Sequence, residues 1–259
     1  MISKQRTDML HRSRRLFDNL YCYIWSGQGN NAHSYLFPNV LRGERPHVIV
    51  DPGLLVDEMY EGCFDSLTDA MAQDGFKIED IGLIINTHAH PDHCQATETI
   101  VEKSKRSDGK GKIDKAIVAI TKEADDYYRI AGERMFAMFG MKVVKLDPLI
   151  YLTEGNLSLG RDDKQVNLTV IHTPGHSPGS ICLYWPDKKV LITGDLVFNG
   201  GVGRTDFPGG SITTLKQSIE RVSQLDVEYL LPGHSTELGS IVEGKRRVEQ
   251  NFRAIKFII

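Results

Sequence analysis

Four side chains that could bind a metal lie close together in the stretch Thr-His-Ala-His-Pro-Asp-His. They are His88, His90, Asp92 and His93. Residues two apart in an extended segment point to the same side, so three of them can converge where a buried strand runs out into a loop. Imidazole nitrogens and carboxylate oxygens suit zinc, iron or manganese. A lone histidine is more often structural, but four donors within six positions favour a metal site.

Each of these donors lies just beyond an apolar run, and three later donors follow the same rule. The first four come after Ile81 to Ile85; the later ones are His176 after Val170-Ile171, Asp195 after Val190 to Thr193, and His234 after Tyr229 to Leu231. Glycine and proline at these turns let the backbone bend sharply and keep bulk away from a site. Strand ends on a rigid sheet hold metal ligands well. The sequence therefore predicts a metal site built from strand ends.

This pattern resembles the metallo-β-lactamase fold superfamily, whose core motif is His-x-His-x-Asp-His, followed by a histidine, an aspartate and a last histidine. The resemblance runs from about Tyr21 to about Arg247 and includes the stretch Val48 to Gly53. It implies an α/β fold, the αββα four-layer sandwich, with metals at one edge. It also implies a first metal site of His88, His90 and His176 and a second of Asp92, His93 and His234, with Asp195 bridging both.

The glycine-rich segment Gly201 to Gly210 narrows the resemblance. It is similar to the branch that holds glyoxalase II, its short bacterial relatives and the persulfide dioxygenases. True metallo-β-lactamases with a cysteine at the Asp195 position fit less well. Within the segment, Arg204 and Asp206 favour an ion pair that organises the loop over a catalytic role.

The resemblance implies a metal-dependent hydrolase that acts on a thioester or a small acyl ester. Two divalent ions about 3.5 to 4 Å apart can share a hydroxide whose pKa falls towards about 7. We expect zinc, with iron or manganese as alternatives. Asp195 would set the metal spacing, and Asp92 would bind one metal and orient the hydroxide, so these two are the catalytic candidates.

Other functions stay open at the level of sequence. A persulfide dioxygenase would use one iron held by His88, His176 and Asp195. A lactonase fits the same donors, and a non-catalytic metal-binding regulatory protein would be expected to lose some of them. Because only 25 residues follow His234 (259 minus 234), we expect no added helical domain of the kind that binds glutathione in long glyoxalase II enzymes.

Composition excludes several other classes. The chain has 259 residues and a formal net charge of −3, which disfavours a general nucleic-acid binder. No apolar run approaches the roughly 18 residues of a membrane span. The four cysteines have no close paired spacing, which is typical of a reduced compartment. We expect a cytoplasmic protein that acts on a small molecule, in an oligomeric state that the sequence leaves open.

The chain reads as a single domain over 1–259, with a flexible, arginine-rich N-terminal arm at 1–15. Helical patterns are predicted at 57–74, 93–105, 122–139, 211–225 and 240–256, and a short strand near 142–146. The 122–139 helix carries a set of aromatic and methionine residues, namely Tyr127, Tyr128, Met135, Phe136, Met138 and Phe139. Such stripes usually pack into the core. Part of this one could instead cap the metal site and tune substrate choice.

Overall fold

Two β-sheets form the centre of the molecule in a computed structural model that describes residues 9–107, 113–160 and 165–259. The strands are, in chain order, β1 (His11–Phe17), β2 (Leu20–Trp25), β3 (Ser34–Phe37), β4 (His47–Val50), β5 (Ile81–Ile85), β6 (Arg106–Ser107), β7 (Ile113–Asp114), β8 (Ile117–Thr121), β9 (Ile150–Leu152), β10 (Gly155–Leu159), β11 (Val166–His172), β12 (Ile181–Trp185), β13 (Val190–Gly194), β14 (Tyr229–Pro232) and β15 (Val242–Glu243). The helices are α1 (Cys63–Gln73), α2 (Pro91–Cys94), α3 (Thr97–Lys103), α4 (Lys122–Met138), α5 (Ile212–Val222) and α6 (Lys245–Ile258).

The first sheet has the order β1-β2-β3-β4-β5-β8-β9, and the second runs from β10 to β15 in sequence order. Strands β4, β5, β8 and β9 are parallel to their neighbours in that set, as are β13 and β14 in the second sheet. The carboxyl ends of parallel strands meet at the same edge of a sheet, which is where α/β proteins place their sites. The loops after β4, β5, β13 and β14 therefore begin at the functional edges of the two sheets.

Both faces of each sheet are covered, which explains the nearly continuous apolar runs in their strands. In β4, Val48 and Val50 pack between the two sheets, whereas Ile49 packs on the outer side beneath α1 and α3. On the outer face of the second sheet, α5 and α6 pack in the same way. The order of layers is helix, sheet, sheet, helix, and the predicted αββα sandwich is confirmed.

Helix α4 lies beside the end of β8, and its predicted bounds are confirmed to within one residue. The Thr121 side chain accepts a hydrogen bond from the Ala124 N–H at 3.1 Å, which caps the first turn. The buried face of α4 packs in a cluster with Ala89 and Cys94, which belong to the His-rich stretch or follow it directly. The helix is thereby attached to the segment that carries four of the predicted donors.

The predicted N-terminal arm is wrong for residues 11–15, which belong to β1 and pair with β2 in antiparallel register. Residues 1–8 lie outside the described residues. The arginine-rich sequence suggested a solvated arm because β1 is an edge strand with an exposed surface. His11 is buried, whereas Arg12, Arg14 and Arg15 are exposed. Charged side chains are common on edge strands, where they prevent pairing with another chain.

Three other element predictions are corrected by the structure. The described residues 142–146 form no strand, because their backbone groups bond to side chains: Tyr128 Oη donates to the Val144 carbonyl at 2.6 Å, and Glu98 accepts from the Lys145 N–H at 3.2 Å. The helix predicted at 57–74 begins at Cys63, after a turn closed by Asp57 Oδ1. The helix predicted at 93–105 is divided into α2 and α3.

All four cysteines are buried and free, so no disulfide contributes to the described structure. Across the described ranges, no helix combines the length and the apolar character needed to cross a membrane.

Candidate metal centre

All seven predicted donors meet at one edge of the sandwich. They form three overlapping groups, in each of which the donor atoms lie within 4.8 Å of one another. The groups are His88, His90 and His176; His88, His93 and Asp195; and Asp92, His93 and His234. The first and third groups are the two sites that the sequence predicted, and the second contains the aspartate predicted to lie between them.

Both sheets contribute donors, each from a short distance beyond a strand. His88 and His90 follow β5, and Pro91 at the first position of α2 then directs the chain into the turn that carries Asp92 and His93. The second sheet supplies His176 from the β11–β12 loop, Asp195 directly after β13, and His234 two residues after β14. The centre therefore joins the two halves of the chain.

Asp195 stands between the two predicted sites, with one oxygen towards each. Its Oδ1 lies 3.1 Å from His93 Nε2 and 3.4 Å from His234 Nε2, while its Oδ2 lies 3.5 Å from His176 Nε2. His234 Nε2 is also 3.2 Å from Asp92 Oδ2. This is the arrangement expected of a carboxylate that bridges two cations.

Three of the histidines are oriented by hydrogen bonds at Nδ1, the ring nitrogen that faces away from the centre. The His93 Nδ1–H donates to Asp51 Oδ2 at 2.9 Å, and the His176 Nδ1–H donates to the Arg204 carbonyl at 2.6 Å. The Thr87 hydroxyl gives its hydrogen to Asp51 Oδ2, so its oxygen accepts from His88 Nδ1 at 3.1 Å. His88 and His176 therefore turn an unprotonated Nε2 towards the centre, the form in which histidine binds a metal, and His93 takes this form when a metal ion displaces the proton from its Nε2.

The donor set fits a cation on two observations. The Nε2 atoms of His88 and His176 are 3.2 Å apart, and both carry lone pairs in the tautomers just assigned, so they repel one another unless a positive charge lies between them. Asp195 Oδ1 is a buried oxygen that makes no well-aligned hydrogen bond with the described residues, although His93 Nε2 and His234 Nε2 lie 3.1 and 3.4 Å from it. A buried carboxylate needs nearby positive charge, from an imidazolium or a metal ion, to offset the loss of its hydration. Metal ions at the two predicted sites would satisfy all of these atoms.

The electrostatics of the centre follow from burial and from the close approach of the carboxylates. Burial lowers the pKa of His88, and lowers that of His90 to about 3, so both are neutral. Burial acts the same way on His93, but the Asp195 and Asp51 carboxylates outweigh it and hold its pKa well above the usual value. The pKa of Asp195 lies well below its usual range, because His234 and His93 outweigh the effect of its burial. A site that stabilises an imidazolium in this way also attracts a metal cation, which would displace the proton.

A cavity of about 360 Å³ opens over the centre. One wall is apolar and comes from Met135 and Phe139 of the α4 region together with Phe198 and Phe207. The remaining lining includes Asn30, whose Nδ2 donates to Asp92 Oδ2 at 2.7 Å. We call this space the first cavity. Its apolar wall stands beside donors that could hold metal ions.

The Gly201–Gly210 loop covers one side of the centre and is organised as the sequence predicted. Arg204 and Asp206 form a two-point ion pair, with Nε to Oδ1 at 2.9 Å and the second contact at 2.6 Å. The Arg204 guanidinium lies 4.4 Å from the Phe207 ring centroid, and that ring packs 5.3 Å from the ring of His90. The loop therefore presents an aromatic surface to the metal-facing histidines.

Sequence reasoning did not assign a role to Asp51, which accepts hydrogen bonds from the Thr87 N–H, the Thr87 hydroxyl and His93. A signal was present, because Asp51 follows the apolar run Val48 to Val50 as the donors follow theirs. Its backbone has a φ of 51°, a conformation that aspartate tolerates better than most residues. Glycine is needed at position 233, where a Cβ would lie 2.3 Å from Asp195 Oδ1.

Comparison with known proteins agrees with this geometry. A sequence profile of the family described as Metallo-beta-lactamase superfamily matches residues 38–234. The probable metallo-hydrolase MJ0888 of Methanocaldococcus jannaschii is 33% identical over 218 residues, which cover 83% of this chain and 92% of that protein. The acyl-coenzyme A thioesterase MBLAC2 of Bos taurus is 30% identical over 225 residues, covering 82% of this chain and 76% of that protein. The crystal structure of TTHA1623 in a di-iron-bound form is similar with a TM-score of 0.64 and 27% identity, covering 90% of this chain and 97% of that chain.

Proposed function

The chain belongs to the metallo-beta-lactamase superfamily, and from this premise we propose that it is a hydrolase of acyl thioesters with a centre for two divalent metal ions. The observation that carries the proposal is the position of Asp195, with one carboxylate oxygen towards each group of donors. A complete set of seven donors at one edge is suited to two ions rather than one. The relative named as an acyl-coenzyme A thioesterase, which matches 82% of the chain, supports the substrate class.

The ions would be held by His88, His90 and His176 on one side and Asp92, His93 and His234 on the other, with Asp195 between them. When bound, they would lower the pKa of a shared water towards about 7 and polarise the carbonyl oxygen of the substrate. The reaction adds one water across the C–S bond: oxygen joins the acyl carbon, the bond to sulfur breaks, and a carboxylic acid and a thiol leave.

The chain's own groups position these reactants. Asn30 holds Asp92 in a fixed orientation through its 2.7 Å hydrogen bond, so the carboxylate cannot rotate away from the centre. The apolar wall of the first cavity, formed by Met135, Phe139 and Phe207, would bind the acyl group and exclude bulk water from it. We therefore call this space the acyl cavity.

Metal analysis combined with a substrate panel tests the proposal. We expect the purified chain to bind two ions of zinc, iron or manganese, and Asp195→Ala to lower that occupancy because it removes a donor shared by both sites. The loaded enzyme should hydrolyse acyl-coenzyme A or S-lactoylglutathione, measured by release of free thiol. One bound iron, with oxygen consumption on glutathione persulfide and no thioester cleavage, would contradict the proposal in favour of a dioxygenase.

A further inference from the structure

A second cavity, of about 520 Å³, adjoins the candidate metal centre, and none of the described residues that line it belongs to α4. It lies between β1, β2 and the loop after β14, and we call it the carrier cavity. Asn30 and His234 line both this cavity and the acyl cavity. The metal centre therefore stands at the junction of two spaces, as a reactive carbonyl between two substituents would require.

The two cavities differ in chemistry. The acyl cavity has an apolar wall and includes the carboxylates of the metal centre. The carrier cavity is lined by two arginines, Arg12 and Arg14, and by hydroxyl and amide groups. Among the described residues that line it, none is aspartate or glutamate. Its lining therefore offers cationic and hydrogen-bond-donating groups to an anion.

Arg12 is the cation available to such an anion. Arg12 and Arg14 lie two apart in β1, so they project from the same face of the strand. Arg14 is already paired with Glu243 at 2.5 Å. The Arg12 guanidinium is exposed and makes no hydrogen bond or ion pair with any described residue.

Ser235 supplies a second donor near the metal centre. The His33 Nδ1 accepts from the Trp25 N–H at 3.0 Å, so the hydrogen of this ring lies on Nε2 and is donated to Ser235 Oγ at 3.1 Å. The hydrogen of the Ser235 hydroxyl is then left for a ligand in the carrier cavity. A hydroxyl and a guanidinium suit the oxygens of a phosphate or a carboxylate.

We infer that the thiol half of the substrate is an anionic carrier, which lies in the carrier cavity with its phosphate or carboxylate on Arg12 while the acyl half lies against Met135, Phe139 and Phe207. This inference rests on the proposed thioester hydrolysis. It specifies in addition that the thiol released in that reaction is anionic. It makes Arg12 a specificity-determining residue that is separate from the metal donors.

Binding of non-hydrolysable thioethers tests the inference without relying on turnover. Calorimetry on the full-length, zinc-loaded chain would use S-methyl-coenzyme A, which carries phosphates, and S-methylglutathione, which carries carboxylates. Arg12→Gln should raise the Kd of at least one of them by about tenfold, the usual scale for a hydrogen bond to a charged group. Arg15→Gln is the matched control, because it removes the same charge three positions later in β1, where Arg15 pairs with Asp18 and does not line the cavity.

The outcome for each ligand identifies the carrier. A loss confined to the coenzyme A thioether assigns a phosphate to Arg12, and a loss confined to the glutathione thioether assigns a carboxylate. Equal Kd values for Arg12→Gln and Arg15→Gln, or no binding of either thioether by the unmodified chain, would overturn the inference.

Kinetics separates the inference from the proposed function. Arg12→Gln should raise KM for thioesters of the anionic carrier and leave KM unchanged for the neutral N-acetylcysteamine thioester with the same acyl group. If the unmodified chain cleaves no thioester, the proposed function fails, and the thioether binding still decides whether Arg12 receives an anionic carrier. An equal rise in KM on charged and neutral thioesters would count against Arg12 as a carrier contact.

Discussion

At the residue scale, Asp51 supports the candidate metal-binding histidines through hydrogen bonds, and its substitution has a clear predicted effect on metal affinity. It accepts from His93 Nδ1 and, through the Thr87 hydroxyl, also orients His88. Asp51→Asn keeps the shape of the side chain but puts an amide where an acceptor is needed. We expect metal affinity to fall about 10- to 100-fold, the range found when such supporting groups are lost.

Titration with zinc in a competing chelator measures this loss. Asp74→Asn is a suitable control, because Asp74 accepts a hydrogen bond from Ser13 at a distance from the centre. An Asp51→Asn protein that binds metal as tightly as the control would show that the histidines are held by packing alone.

Asp92 and His234 separate a two-metal enzyme from a one-metal enzyme. Their side chains contact one another at 3.2 Å and belong to the same donor group. If two ions are needed for turnover, Asp92→Ala or His234→Ala should reduce kcat by at least ~100-fold, the lower range for loss of a main electrostatic contributor. Near-normal turnover in both variants, with one metal still bound, would indicate a single-metal mechanism.

The seven donors could be predicted from sequence because each lies within eight residues of the end of a buried strand. Their assignment as ligands stays a prediction until metal content is measured. Arg12 could not be recognised in advance, since its role depends on which face of β1 borders the cavity, and the sequence placed it in a flexible arm. Asp51 carried a signal in its position after β4, but its three hydrogen bonds depend on how β4 and β5 pair.

At the scale of the element, α4 divides into a buried part and a site-facing end. Phe136 is 0% exposed and packs in the helix cluster, whereas Phe139 is 41% exposed and lines the acyl cavity. Phe139→Ala should therefore change the ratio of turnover for long and short acyl groups by about 1 to 3 kcal/mol in discrimination. Its effect on melting temperature should be small, because the side chain is already partly solvated.

Phe136→Ala is the matched control for this prediction. It removes the same side chain three residues earlier and should lower the free energy of unfolding by roughly 3 to 5 kcal/mol without altering acyl preference. Thermal melting beside a series of acyl chain lengths measures both effects. If Phe139→Ala lowers stability as much as Phe136→Ala and leaves the preference unchanged, the whole helix is scaffold.

Helix α4 was predictable because its apolar positions repeat at helical spacing over 17 residues and Thr121 supplies a cap. The segment that follows it was not, because the predicted strand at 142–146 has the right residue types but no neighbouring strand. Its backbone groups are taken by Tyr128 and Glu98 instead. A segment with strand propensity does not form a strand when side chains, rather than a neighbouring strand, make the hydrogen bonds to its backbone.

At the scale of the whole molecule, the metal centre links the two halves of the chain. Four donors precede residue 94 and three follow residue 175, and they come from different sheets. Removing the metals should therefore destabilise the fold as a whole. One ion at a free concentration a thousandfold above its Kd stabilises by about 4 kcal/mol, which corresponds to about 8 to 16 °C in Tm for a chain of this size.

Calorimetric melting before and after chelation measures this shift. A single transition that moves down on chelation is expected, since the single-domain prediction requires the two sheets to unfold together. Two separate transitions would contradict that prediction, and an unchanged Tm would contradict the link through the metals.

The arrangement of the sheets came from the family resemblance, because periodicity alone gives strands without their order. The nearly uniform apolar character of β5, β13 and β14 indicates burial on both faces but not which strand lies beside which. For example, β5 pairs with β8 although α2, α3, β6 and β7 lie between them in the sequence. Periodicity does not predict such a long-range pairing.

The support of His176 by a backbone carbonyl has a consequence for how the protein tolerates mutation. Any amino acid at position 204 still offers that carbonyl, so substitutions of Arg204 leave the acceptor for His176 Nδ1 in place. Intolerance should appear instead at Gly203, where a Cβ would lie 1.8 Å from the Asp195 carbonyl oxygen. A survey of single substitutions would then record position 203 as less tolerant than position 204, although a deletion at 204 would release a histidine of the centre.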